Sequence, residues 1–175
     1  ADAVKAGIGM VPEERKVKGI FPDLSVMDNI NVVSYDGLRK GGLISRTSTV
    51  DTAKQYVGKL SIRTTDVFKL VGQLSGGNQQ KCILSRWLRM NPQILILDEP
   101  THGIDIGAKN DIYEIIRELA DQGITVLLIS SEMPELIRLS DRVVVMCEGN
   151  QTAILEKDQI TEDTILHYAM RRNAN

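Results

Sequence analysis

Aromatic residues make up only 4% of the 175 positions, and the chain carries two cysteines and five prolines. Cys82 and Cys147 have neither metal-ligand spacing nor a paired framework, so they read as buried free thiols suited to a reducing compartment. No apolar run approaches the ~20 residues a membrane-spanning helix needs, and no basic-then-apolar segment opens the sequence. Neither a span nor a secretion signal is expected, and any membrane role must come through a partner. The net charge of −2 gives no whole-chain attraction to nucleic acid or anionic lipid. Internal repeats and low-complexity tracts are missing as well. So is a Gly-x-x-x-x-Gly-Lys-Ser/Thr phosphate loop, because Gly58-Lys59-Leu60 lacks both the first glycine and the hydroxyl. What remains is an ordinary globular balance of residues, long enough for one sizeable core, since ~150 residues bury roughly 70% of their unfolded surface.

The sequence is organised around Gln73-Leu74-Ser75-Gly76-Gly77-Asn78-Gln79-Gln80, an amphipathic run, and then Ile94-Leu95-Ile96-Leu97-Asp98-Glu99-Pro100. Ser75 is placed to cap a helix with its hydroxyl, and Gly76 and Gly77 leave room for a ligand against the backbone. A helix start of this kind favours a phosphate. Ile83, Leu84, Trp87 and Leu88 recur at helical spacing with Arg86 and Arg89 on the opposite, wet side, and Asn91-Pro92 stops the helix. Two acids at the carboxyl end of a buried parallel strand stand where α/β sheets bind ligands, and alternation along the strand means that Asp98 and Glu99 need not share a role.

In chain order, Ile8-Gly9-Met10-Val11 is a short strand ended by Pro12, followed by the charged loop Glu13-Glu14-Arg15-Lys16. Ser25 opens a helix whose third position is Asp28, with Val26, Ile30 and Val33 on one face. Positions 37–49 are basic and rich in glycine, serine and threonine, which reads as a mobile surface loop, and 50–60 is weakly helical. The turn Thr101-His102-Gly103-Ile104-Asp105-Ile106-Gly107 joins the acidic strand to a helix with the stripe Ala108, Ile112, Ile115, Ile116 and Leu119. Asp105 fits a helix N-cap, and His102 reads as a turn histidine. The apolar runs 124–129 and 142–147 are continuous, the mark of parallel strands covered on both faces, with a short helix over 133–139 between them. Glu148-Gly149-Asn150-Gln151 turns into a strand over 152–155, and Thr161 opens a last helix that Arg171-Arg172 closes.

Leu74-Ser75-Gly76-Gly77 followed by one helix and an Asp-Glu-ended strand resembles the signature and Walker B sequences of the ATP-binding cassette (ABC) ATPases. That resemblance implies an α/β, P-loop NTPase-like ABC ATPase domain with a helical subdomain and an incomplete parallel core sheet. One partial cassette is expected over 1–175: a helical and signature subdomain at 25–90, a Walker B core at 91–157 and a C-terminal helix at 158–175. By the same resemblance Asp98 is the Mg²⁺-associated carboxylate, Glu99 orients and deprotonates the attacking water, and Asp105 is the D-loop aspartate. Glu13 stands where the family has its nucleotide-sensing glutamine. A carboxylate there still holds water or a metal but repels phosphate, and a solvated turn is the competing reading. Ser131 replaces the usual switch histidine.

The segments 11–16, 74–81, 103–109 and 130–135 are similar to the C-terminal cassette of bacterial monosaccharide importers of the ribose, galactose, xylose and autoinducer type. In that group two cassettes lie in one polypeptide. The implied ligands are ATP and Mg²⁺, with Ser75, Gly76, Gly77 and Gln79 facing ATP bound by a second cassette that supplies Walker A. The implied partners are membrane-spanning permease subunits and, indirectly, a periplasmic sugar-binding protein, with no nucleic acid, at the cytoplasmic face of the inner membrane. The absent phosphate loop implies an isolated chain without turnover. It also implies open backbone groups between strands 124–129 and 142–147, where the family's phosphate-loop strand normally lies. A catalytically inactive ABC-type interaction fragment and a non-transport ABC ATPase are the alternatives.

Overall fold

The computed structural model describes residues 2–35, 39–40 and 43–170, which form two compact units, 1–129 and 130–175. In the first, a short helix α1 (Asp2–Lys5) leads into β1 (Ile8–Val11), the strand that the Gly-rich apolar run dictates. After a π-type turn at Arg15–Gly19 come α2 (Val26–Asn31), the two-residue antiparallel pair β2 (Arg39–Lys40) and β3 (Leu43–Ile44), and α3 (Arg46–Lys59). Ser25 caps α2 as expected, its Oγ accepting from Asp28 N at 3.0 Å. Of the loop expected over 37–49, the described part is shorter, because α3 already begins at Arg46. Residues 43–44 pair in a ladder, and Ser45 caps α3 by accepting from Ser48 N at 3.3 Å. A local cap outweighs the loop-like composition.

Next follow α4 (Gly76–Leu88), β4 (Ile94–Asp98), α5 (Ile106–Asp121) and β5 (Thr125–Ile129). β1, β4 and β5 form one parallel sheet in the order β1-β4-β5, with Met10, Ile96 and Leu127 in register. Val11, Leu95 and Leu97 face the core with Ile83 and Leu84 of α4 and Ile112, Ile116 and Leu119 of α5. Gly9 admits Trp87, since a Cβ there would stand 3.2 Å from the indole and from Leu95. The opposite sheet face is open: Met10, Ile94, Leu127 and Ile129 are exposed, so β5 is not covered on both faces as its continuous apolar run suggests. Such a run permits double burial without enforcing it.

The second unit holds α6 (Met133–Leu139), β6 (Arg142–Cys147), β7 (Asn150–Glu156) and α7 (Glu162–Ala169). β6 is antiparallel to β7, which corrects the parallel expectation for this strand. The reason is the two-residue turn Glu148–Gly149, both at positive φ (50° and 79°), which reverses the chain directly. One face of the pair, Val143, Val145 and Leu155, packs with Ile160 and with Ile165 of α7, whereas Val144, Met146 and Ile154 are exposed. Thr161 caps α7 as expected, accepting from Thr164 N at 3.2 Å. Arg171 and Arg172, expected to close that helix, lie outside the described residues.

Candidate functional site

Residues 75–78 form the start of α4, and their side chains are arranged differently from the sequence reading. Ser75 is the N-cap residue with extended backbone (φ −63°, ψ 157°), but its side chain caps no amide. Its Oγ instead accepts from Asn78 Nδ2 at 2.8 Å, and Asn78 Oδ1 accepts from Arg63 N at 2.7 Å. The amides of 76–78 therefore stand in a first turn that has no intrahelical acceptor. Gly77 and Asn78 of that turn, with Ser75, Arg63, Lys81, Asp105 and Asp111, line a cavity of about 200 Å³. Lys81 is 4% exposed, with Nζ 2.8 Å from Asp111 Oδ2, so its charge is tied down within the lining.

Both glycines serve packing. A Cβ on Gly77 would meet Ala108 Cβ at 2.5 Å, and one on Gly76 would meet the Arg15 guanidinium at 2.9 Å. The first turn of α4 thus approaches α5 and Arg15 more closely than an alanine permits. Gln79 is buried, and its Nε2 donates to the carbonyls of Leu74 (3.1 Å), Val71 and Gly72 (both 3.4 Å). Its Oε1 accepts from Arg15 Nε at 3.3 Å.

The side chains expected on the wet face of α4 are inside. Arg86 is 6% exposed and donates to Gly19 O (2.7 Å), Asn29 O (2.8 Å) and Asn29 Oδ1 (3.0 Å), with the Phe21 ring 5.5 Å away. Arg89 is half-buried and reaches Asn31 Oδ1 at 2.7 Å and Ser34 O at 3.1 Å. Neutral oxygens converge on both guanidinium groups, so the polar side of α4 is covered by α2 and the segments flanking it. Burial pushes Arg86 down to about 10, which leaves it charged at neutral pH. Burial also pushes the Cys82 thiol up to about 12.

Asp98 ends β4 opposite Ile129, half-buried. Glu99 follows at φ 45°, and its N–H donates to Ile129 O at 2.8 Å. A non-glycine residue in this region marks local strain where the strand turns away. His102 N then donates to Glu99 O at 3.1 Å, closing the turn. Asp105 is exposed and caps α5, accepting from Ala108 N at 2.9 Å. The donor set at the strand end is hard carboxylate oxygen, with no cluster of three or more His, Cys, Asp or Glu among the described residues. That suits Mg²⁺, which keeps much of its water and takes one or two protein carboxylates.

Glu13 is exposed and, with Glu14, Arg15, Lys16, Val17 and His102, lines a cavity of about 260 Å³. Ser131 is exposed in the second unit, next to Ser130, whose Oγ accepts from Glu132 N at 3.0 Å. The first unit thus holds Ser75, Gly76, Gly77 and Gln79 at one helix start, Asp98, Glu99 and Asp105 around one turn, and Glu13 on the loop after β1. Arg15 was not singled out by the sequence reading, because one basic residue in a charged loop carries no periodicity or spacing signal.

The sequence model of the family described as ABC transporter matches residues 1–102. A ribose import ATP-binding protein of Shouchella clausii is 45% identical over 96% of this chain. An arabinose import ATP-binding protein of Vibrio parahaemolyticus is 47% identical over 98%. The chain spans about a third of the length of these curated relatives, 34% in both cases. An ATP-binding cassette solved as a dimer in a post-hydrolysis state bound to ADP and Pi superposes with a TM-score of 0.72 at 21% identity, over 87% of this chain and 64% of that one. Another, an ATP-binding cassette of an ABC transporter, gives 0.77 at 20% identity over 98% and 71%. These likenesses establish the ABC ATPase fold, and with a family match over more than half of its residues this chain belongs to the ABC transporter family.

Proposed function

We propose that the chain is part of the ATP-binding subunit of a bacterial sugar importer and that it presents Ser75, Gly76 and Gly77 to ATP held by a second cassette. The observation that carries this reading is the start of α4. There the serine hydroxyl is engaged by Asn78, and Ser75, Gly77 and Asn78 line a cavity that also includes Arg63. Helix-terminal amides and a nearby cation suit a polyphosphate. Gln79, with its side chain turned inward, supports the loop before the helix. Sugar import is the printed role of the ribose and arabinose relatives and is carried to this chain as part of the proposal.

On this reading Glu99 orients and deprotonates the attacking water, an effect worth ~10²–10⁴ in rate. Asp98 would hold Mg²⁺, which would supply positive charge against the phosphates. Asp105 combines capping of α5 with reach toward the opposite nucleotide. Glu13 serves as the sensor on the loop after β1, and Ser131 supplies a hydroxyl donor in place of a histidine. The divisions 25–90, 91–157 and 158–175 remain the functional parts of this reading, as helical, Walker B and terminal segments.

Permease subunits are the proposed membrane partner, consistent with the absence, among the described residues, of any helix long and apolar enough to cross a bilayer. Phe21, Leu24, Phe68 and Leu70 are exposed on two segments joined by the hydrogen bonds Val71 N to Leu24 O and Val26 N to Lys69 O. Apolar groups held on a hydrogen-bonded frame suit docking of another protein. Comparing sugar-stimulated ATP turnover of the assembled importer with and without Ser75→Arg tests the reading.

A further inference from the structure

We propose that Arg15 is a positioning residue that holds the start of the signature helix and the turn after Glu99 in one fixed arrangement, so that the two nucleotide-facing elements move together. Its Nε donates to Gln79 Oε1 and its Nη1 to His102 O, both at 3.3 Å. His102 N is bonded to Glu99 O, and Gln79 Nε2 to Leu74 O. One guanidinium therefore links the residue after β4 to the loop before Ser75, across sequence separations of 87 and 64 residues. The fork of separated donors on a planar group is what arginine offers and a single ammonium does not.

The segment that carries Arg15 is itself fixed to α4 at its far end. The π-type turn closes with Ile20 N to Arg15 O at 2.9 Å, and Gly19 O accepts from Arg86 Nη1 at 2.7 Å. A Cβ on Gly19 would meet Ile83 Cδ1 at 2.7 Å, so this end lies directly on the helix. π-type turns of this sort recur at functional sites. Held at Gly19, the turn cannot shift without Arg15 shifting, and Arg15 contacts both elements. Glu13 lies two residues before it, so a displacement of the loop after β1 reaches both through one side chain.

The coupling role rests on the nucleotide reading above, but its test needs no nucleotide. Amide hydrogen exchange is measured on the full chain. Arg15→Met, which keeps an apolar stem and removes the donors, is expected to raise exchange about tenfold at the bonded amides of Leu74 and Gln79 and at those of His102 and Ile104, the size of one lost net hydrogen bond. Exchange in 112–119 stays unchanged. Arg15→Lys, whose single ammonium lacks the two separated donors, recovers protection in at most one of the two segments. Gln79→Ala, a change in α4, also raises exchange at 102–104. Loosening of only one segment by Arg15→Met, full protection of both segments in Arg15→Lys, or no response at 102–104 to Gln79→Ala would each overturn the proposal. Failure of ATP binding would leave these results untouched and count against the nucleotide reading alone.

Discussion

Ala108 Cβ lies 2.5 Å from the position a Cβ on Gly77 would occupy, so the second signature glycine is fixed by contact between α4 and α5. The conformational freedom of glycine is secondary at this position, because its φ is helical. What the missing Cβ provides is proximity between two helices, one opening at the cavity and the other capped by Asp105.

Gly77→Ala is expected to destabilise the fold by about 1–3 kcal/mol, the usual cost of overpacking, despite the better helix propensity of alanine. Ala108→Gly in the same chain is expected to recover much of that loss. Thermal melts of the single and double variants check this, and a Gly77→Ala chain as stable as its parent would show that the helices part freely.

Glu99→Gln in the assembled importer is expected to lower ATP turnover by about 10²–10⁴ while leaving nucleotide affinity in place. Single-turnover hydrolysis beside equilibrium binding measures the two separately. Equal turnover would reassign Glu99 to the turn alone.

Cys82 is expected to resist alkylation near pH 8 in the folded chain, since burial holds its thiol up at about 12, and to react once the chain unfolds. The sign for stability follows from the same shift. Because the folded pKa lies above the ordinary thiol value, the Cys82 contribution is complete below that value and is lost as pH rises toward 12. Mass-resolved labelling that also follows the half-buried Cys147 provides the check, and Cys82 modification outpacing global unfolding would contradict it.

The exposed sheet face predicts self-association of the 175-residue chain. Leu127 and Ile129 are exposed on β5, whose strand partner among the described residues is β4, and an unpaired strand edge invites another strand. Leu127→Lys is expected to reduce association in sedimentation experiments. A monomer with a high melting temperature, unchanged by the substitution, would argue against this account of the edge.

Local signals were the legible part of the fold. Ser25 and Thr161 cap the helices expected of them, the stripe from Ile112 to Leu119 is buried as its spacing demands, and Glu148–Gly149 makes the turn its composition suggests. The burial of Arg86 was not legible, because the oxygens that accept its hydrogen bonds belong to Gly19 and Asn29, 67 and 57 residues away. The same limit explains Gly76 and Gly77, whose neighbours Arg15 and Ala108 come from other elements. It explains β6 as well: a continuous apolar run records that burial is available and says nothing of strand direction. At the site, the order of signature, helix and acids was readable. The engagement of Ser75 by Asn78, and of Gln79 by Arg15, belongs to three-dimensional proximity.

On the proposed function, the signature face and the acids Asp98 and Glu99 serve nucleotide whose phosphate loop these 175 residues do not carry. Steady-state Mg-ATP hydrolysis by the purified 175-residue chain tests it most directly. No turnover above a protein-free control is expected, whereas steady hydrolysis that Glu99→Gln abolishes would contradict that division of the site.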